Sequence, residues 1–198
     1  MARIEGIMVR EAIPGRRRRL PDEFDIPNEE IRYAAGESVL GPVLVAWSDQ
    51  GVVSIQIGHD SEQLLRNVQR QLPRGHLVRA DNKALLKKVI GYIDEPEGML
   101  DITLDIRGTE FQKNVFAAMR EIPAGQTNSY SDIAQKAGVP RAGRAVGSVC
   151  ATNNLAFAVP CHRVLHKDGS PRTGPHWGHT QLSLLRREGV SVGPPGHR

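Results

Sequence analysis

Residues 129–164 read SYSDIAQKAGVPRAGRAVGSVCATNNLAFAVPCHRV, and their reading decides the fold of the C-terminal half. Ser129 is a helix N-cap, Ile133 and Ala134 are the apolar positions of a short helix to Ala137, and Gly138-Val139-Pro140 stops it. A second helix follows at once, from Arg141 to about Ala151. Two short helices joined by a glycine-containing turn form the helix-turn-helix pattern, in which the second helix meets DNA.

That second helix, RAGRAVGSVCA, has a nearly bald surface of Ala142, Gly143, Ala145, Gly147, Ser148 and Ala151, from which Arg141 and Arg144 stand out. Glycine inside a helix costs about 1 kcal/mol relative to alanine. Two needs explain accepting it twice, and the residues do not choose between them. A phosphate backbone or groove wall may approach a helix without bulk, and so may a neighbouring helix.

Asn153-Asn154 ends the helix, asparagine being tolerant of left-handed backbone. LAFAV reads as an apolar, strand-like piece, and Pro160 fixes the approach to Cys161-His162-Arg163. A thiol beside an imidazole and a guanidinium has surroundings that favour thiolate, the nucleophilic form. Neighbours in an extended chain point apart, so His162 is expected to act through an intervening group. Cys150 reads as a buried structural thiol.

Upstream, Thr109 to Met119 is a helix with Thr109 and Gln112 as a capping box and Phe111, Val115, Phe116 and Met119 on one apolar face. The extended LDITLDIRG precedes it, and a domain boundary is placed near Leu104. From Ile31 to Ile57, Val- and Ile-rich runs broken at Gly41-Pro42 and Asp49-Gln50-Gly51 predict three short strands. Ser61 to Gln71, with Ser61 as N-cap, and Asp81 to Ile93 have helical apolar spacing. The fold class is α/β followed by mainly α: a charged arm over 1–30, holding Arg16–Arg19, an α/β domain over 31–104 and a helical domain over 105–198.

In 198 residues, 2 cysteines, 20 glycines and 13 prolines exclude a disulfide scaffold, a cysteine-rich zinc module and a collagen-like chain. The charged N-terminus has no secretory h-region, and no stretch approaches the roughly 20 apolar residues of a membrane helix. A cytoplasmic protein with reduced thiols is expected, with no membrane partner, no metal and no cofactor. Residues 1–104 carry 14 Lys and Arg against 16 Asp and Glu, whereas residues 105–198 carry 12 against 6. A positive field on the C-terminal half suits an anionic polymer, although on charge alone a solvated surface is the default reading.

DIRGTEFQKNVF, IPAGQTNSYSDIA, RAVGSVCATNN, PCHRV and LLRREG occur in that order between residues 105 and 189. Together they resemble the O6-alkylguanine-DNA alkyltransferases, or methylated-DNA–protein-cysteine methyltransferases, including the C-terminal portion of bacterial Ada proteins. The resemblance implies an N-terminal ribonuclease-H-like domain and a C-terminal winged-helix-like domain. It implies a monomer, associated with the nucleoid, that binds double-stranded DNA containing alkylated guanine through the minor groove and flips the damaged nucleotide out of the stack.

The resemblance further implies that Cys161 takes the alkyl group from guanine O6, or thymine O4, and keeps it, so the protein acts once. His162 would deprotonate the thiol through a water, and Glu188 would orient that imidazole. Asn153 would brace the turn between recognition helix and site, and Tyr130 would help rotate the phosphate and protonate the leaving base. Arg144 would fill the vacated stack, with Arg141, Ala145, Gly147, Ser148 and Ala151 completing the DNA face. Pro160, Val164, Gly174, Pro175, His176 and Trp177 would line the base pocket.

The chain departs from the family in the loop HKDGSPRTGPHWG, where Pro175 occupies the usual tyrosine position and supplies no backbone N–H. His176 and His179 are the polar groups available in its place. Phe116 stands at a usual tryptophan, and the cysteines of Ada's zinc domain are absent. A lesion-binding sensor without transfer, a regulator using only the helix pair, and a thiol hydrolase on Cys161 and His162 are the competing classes.

Overall fold

The structure is a computed structural model that describes residues 29–171 and 177–192, with backbone only for 177–180. Residues 1–28 of the arm predicted over 1–30, including Arg16–Arg19, therefore lie outside the described residues. The first strand, β1, runs Glu29–Ser38 and so includes the last two residues assigned to that arm. Gly41–Trp47 (β2) and Val52–Ile57 (β3) complete the three strands that the Val- and Ile-rich runs predicted, and pair antiparallel in sequence. Gly41 makes the first hairpin turn with φ 104°, a conformation that costs glycine little.

The fourth strand, β4 (Gly75–Arg79), was not predicted. It pairs parallel with β1, giving the order β3-β2-β1-β4. Its five residues carry little apolar signal of their own, and the pairing rests on a crossover through the helix α1 (Ser61–Gln71). That helix is capped by Asp60, whose side chain accepts from the Glu62 N–H at 2.9 Å, rather than by Ser61. The helix α2 (Lys83–Asp94) is likewise capped by Asn82.

Strand alternation sends Leu44, Ala46 and Val53 to one face of the sheet, where Leu64, Val68 and Leu72 cover them. Val43, Val45 and Ile55 face the other side and join one continuous core with Val89 and Ile93 of α2 and with Val115, Met119, Ile133 and Val146 of the C-terminal half. Full burial of such a side chain stabilises by about 1.5–3 kcal/mol. The connecting segment is stitched to the sheet, since Val52 N–H donates to Thr103 O and Asp105 N–H to Val52 O, both at 2.9 Å.

The C-terminal half holds α3 (Glu110–Arg120), α4 (Tyr130–Lys136), α5 (Gly143–Ala151) and α6 (Trp177–Arg187). It also contains a small parallel pair, β5 (Asn128–Ser129) with β6 (Val164–Leu165), too short to predict. Capping boxes start α3 at Thr109–Gln112 and α4 at Ser129–Asp132. Helix α4 ends in a Schellman motif: Gly138 has φ 77°, its N–H donates to Gln135 O, and Val139 N–H donates to Ala134 O.

Helix α5 begins two residues later than predicted. Arg141 has left-handed backbone, φ 75°, immediately after Pro140 and so stands off the helix. No described helix is long and apolar enough to cross a membrane.

Candidate active site

Three elements meet at Cys161: the segment that follows α5, the one-turn 3₁₀ helix Cys161–Arg163, and the C-terminal end of α6. Helix α5 stops at Ala151, and Asn153 then turns its side chain toward the thiol. Its Nδ2 donates to Val159 O at 2.8 Å and to Cys161 Sγ at 3.2 Å, while its Oδ1 accepts from Leu155 N–H at 3.0 Å. A donor aimed at sulfur favours the thiolate. Neither Asn153 nor Asn154 has positive φ, contrary to the expectation from asparagine propensity; Phe157 does, at 67°.

LAFAV is not a strand beyond one bridge from Leu155 to Ile55 of β3. Ile55 N–H donates to Asn154 O at 2.7 Å and Ala156 N–H to Ile55 O at 3.3 Å, so the sheet grips the segment leading to the cysteine. Residues 161–163 are not extended as predicted. Cys161, His162 and Arg163 are buried in their tight turn, with the thiol residue 5 % exposed. Gln181 of α6 fastens the turn, its Nε2 donating to His162 O and Val164 O at 3.0 Å each.

Glu188 reaches the site because α6 ends there. Gly189, at φ 76°, lets its N–H donate to Arg186 O and Val190 N–H donate to Leu185 O, a second Schellman motif that fixes Glu188 as the C-cap. The carboxylate accepts from Arg163 Nε and Nη2 at 2.9 Å each, and its Oε1 lies 2.8 Å from His162 Nε2. A negative side chain at the negative end of a helix dipole is unfavourable alone. Arg163 compensates it.

The sequence alone gives Arg163 to the thiol, yet its guanidinium is committed elsewhere. Beyond Glu188, it donates to Ile122 O at 2.6 Å and Tyr92 Oη at 2.7 Å. The signal that could have found this is an arginine within the otherwise apolar block AFAVPCHRVL, since a charge there must be paired to be buried. Tyr92, Gln181 and Phe157, which sequence reasoning missed, have no comparable local signal.

Burial pushes the His162 imidazole below its ordinary value, against the pull of Glu188 and with the help of Arg163. Burial would raise the Glu188 carboxyl, but the hydrogen bonds with His162 and Arg163 outweigh it and hold the group at about 2. The arrangement is a buried neutral imidazole with an ionised carboxylate behind Nε2, leaving Nδ1 as the nitrogen to take a proton.

On the outer side, Arg144, Ala145, Ser148 and Ala151 form an exposed face of α5, with Arg141 exposed before it. Gly143 and Gly147 turn toward α4, where an added Cβ would lie 3.7 Å from Tyr130 Cβ and 3.9 Å from Tyr130 Cε1 respectively. The glycines thus accommodate a neighbouring helix, while the small residues beside them leave the outward face low. Tyr130 contacts His166, ring centroids 5.3 Å apart. Cys150 is buried with its Sγ 3.8 Å from Met119 Sδ.

Pro160 and Val164 are buried around the thiol turn. Gly174, Pro175 and His176 lie outside the described residues, and the side chains of Trp177 and His179 are also outside them. No group of three potential metal ligands occurs among the described residues.

The profile of the "6-O-methylguanine DNA methyltransferase, DNA binding domain" matches residues 110–190. A methylated-DNA–protein-cysteine methyltransferase of Methanosarcina acetivorans is 34% identical over 149 residues, covering 69% of this chain and 85% of that protein. The chain belongs to the methylated-DNA–protein-cysteine methyltransferase family. Within the family, the bifunctional transcriptional activator/DNA repair enzyme Ada of Escherichia coli is 41% identical over 164 residues, covering 81% of this chain but 46% of Ada. The chain thus spans about half the length of that relative. The crystal structure of the Mycobacterium tuberculosis family member OGT in complex with DNA superimposes with a TM-score of 0.64 at 29% identity, covering 80% of this chain and 93% of that one.

Proposed function

We propose that this protein repairs alkylated DNA by moving the alkyl group of O6-alkylguanine, and of O4-alkylthymine, irreversibly onto Cys161. The observation that carries the reading is a buried thiol that accepts from the Asn153 amide in the same tight turn as a buried imidazole–carboxylate pair, beyond the end of a helix with a low, cationic outer face. Family membership supports the same chemistry.

His162 Nδ1 takes the thiol proton through a water, and Glu188 stabilises the imidazolium that forms. The Cys161 sulfur then bonds to the alkyl carbon as the carbon–O6 bond breaks. That electron pair passes into the purine, and the Tyr130 hydroxyl protonates the leaving base. A thioether is a very poor leaving group, so each molecule acts once and needs no cofactor.

Duplex DNA is the partner. Helix α5 lies in the minor groove, Arg144 enters the stack, and Arg141, Ala145, Ser148 and Ala151 follow the groove wall, whereas Gly147, expected on that wall, turns toward α4 instead. The flipped base enters a pocket of Pro160, Val164, Gly174, Pro175, His176 and Trp177. The sheet-bearing part is ribonuclease-H-like and the helical part winged-helix-like, with their boundary near Leu104. The protein works as a monomer in the cytoplasm, on the nucleoid.

Peptide mass spectrometry after mixing with a duplex carrying O6-methylguanine tests the reading. One methyl per molecule on Cys161, absent in Cys161→Ser, is expected. Tight binding with an unmodified sulfur would make the protein a lesion sensor instead.

A further inference from the structure

The strain in the site sits at Phe157. A bulky side chain with left-handed backbone is a genuine outlier, and Phe157 holds φ 67° while 6 % exposed. Ala158 N–H donates to Ala156 O across it at 2.8 Å, closing the positive-φ γ-turn, the rarer and strained form. Three residues on, Cys161 N–H donates to Val159 O at 2.8 Å across Pro160, whose φ of −79° and ψ of 65° make the relaxed inverse γ-turn.

Two successive tight turns thus deliver the cysteine. The first is held by force: the Ile55 backbone grips Asn154 and Ala156 on one side, and Asn153 grips Leu155 and Val159 on the other. Strain of this kind costs about 1–3 kcal/mol and persists only where the surroundings over-determine it. Its result is that the Phe157 ring lies against the His162 imidazole, centroids 5.7 Å apart and planes tilted by 52°.

We propose that Phe157 is a positioning residue for the alkyl transfer: its forced backbone aims the Pro160–Cys161 turn, and its ring covers the His162 imidazole against bulk solvent. This rests on the alkyl-transfer reading above. Among the described residues, the charged and titratable groups around His162 are Glu188 from the end of α6, Arg163 from the 3₁₀ turn, and Tyr92 of α2 acting through Arg163. Burial is the main influence holding the imidazole below its ordinary value, so removing the ring exposes it and lets it protonate at higher pH.

The test is the pH dependence of single-turnover methylation of Cys161 by a duplex carrying O6-methylguanine, together with alkylation of the same thiol by iodoacetamide, both read at the peptide level. Phe157→Gly accepts the left-handed backbone and deletes the ring. It is expected to slow methylation at neutral pH about tenfold, a part of the roughly 10²–10⁴ that a general base contributes. It should also move the acid midpoint of both reactions upward by about half a pH unit. Phe157→Leu, the substitute should the glycine variant fail to fold by circular dichroism, moves both midpoints the same way by less.

A folded variant with wild-type rate and midpoint overturns the assignment. A slower variant with an unmoved midpoint also overturns it, because support of the fold alone would then suffice. If the wild-type protein itself shows no methylation while iodoacetamide labels Cys161 normally, the alkyl-transfer reading has failed, and the iodoacetamide profiles of the variants still decide the role of Phe157.

Discussion

Glu188→Gln separates the two tasks of the buried carboxylate. The Arg163 guanidinium is 1 % exposed and makes two 2.9 Å hydrogen bonds to Glu188, so a neutral amide leaves a buried cation without its counter-ion. Breaking such a pair from one side costs about 3–5 kcal/mol. Against a total of roughly 5–15 kcal/mol, the variant folds with a small margin and melts about 10 °C lower. Its amide N–H also donates to His162 Nε2, placing the imidazole proton on Nδ1, where the thiol proton must go. Loss of the correct tautomer costs about 10²–10⁴ in rate. Adding Arg163→Met removes the stranded charge while keeping an apolar stem. Stability recovers by about half, short of complete because the Ile122 carbonyl loses its donor. The rate does not recover. Thermal melts and quenched single-turnover mass spectrometry read the two quantities independently. A Glu188→Gln melt within about 2 °C of wild type, or a double variant that regains the rate, would refute the reasoning.

Two further outcomes follow from the site. Arg144→Ala, on the exposed face of α5, slows methyl transfer from duplex far more than transfer from free O6-methylguanine base, measured by the same mass assay; equal losses would show that the side chain has no part in opening the duplex. Stability falls on acidification in two stages, because both buried groups have lowered pKa values. The His162 contribution is complete above its unfolded value near 6.5 and declines as pH falls below it. The Glu188 contribution, about 3 kcal/mol for a shift from 4.5 to about 2, is lost between those values. Urea midpoints across this range check both, and a flat profile from pH 7.5 to 4 contradicts the burial argument.

What could be read from the chain follows from how local each signal is. Ser129 as a cap, Thr109 with Gln112, and Gly138 write their helix ends within four residues, and all three were legible; the partner of Ser129, Asp132, was not read. Helix α5 was placed two residues early because nothing in Pro140-Arg141 announces left-handed backbone at an arginine. The strand β4 was missed because its partner, β1, is more than thirty residues away. At the site, residue types were legible and destinations were not. Arg163 looks like a companion of its neighbour Cys161, yet its charge belongs to Glu188, 25 residues on, and its remaining donors to Ile122 and Tyr92.

The clearest conflict is at residues 153–157. Local preference assigns the left-handed position to asparagine, whereas the structure gives Asn153 to the thiol and forces the conformation onto Phe157. The Asn153 amide is instead engaged by Leu155, Val159 and the sulfur. The backbone reversal that brings Cys161 back to that amide therefore falls on a residue unsuited to it, fixed by the neighbouring strand. Local rules are expected to fail where a functional geometry overrides them, and here two failures, Arg163 and Phe157, flank the same imidazole.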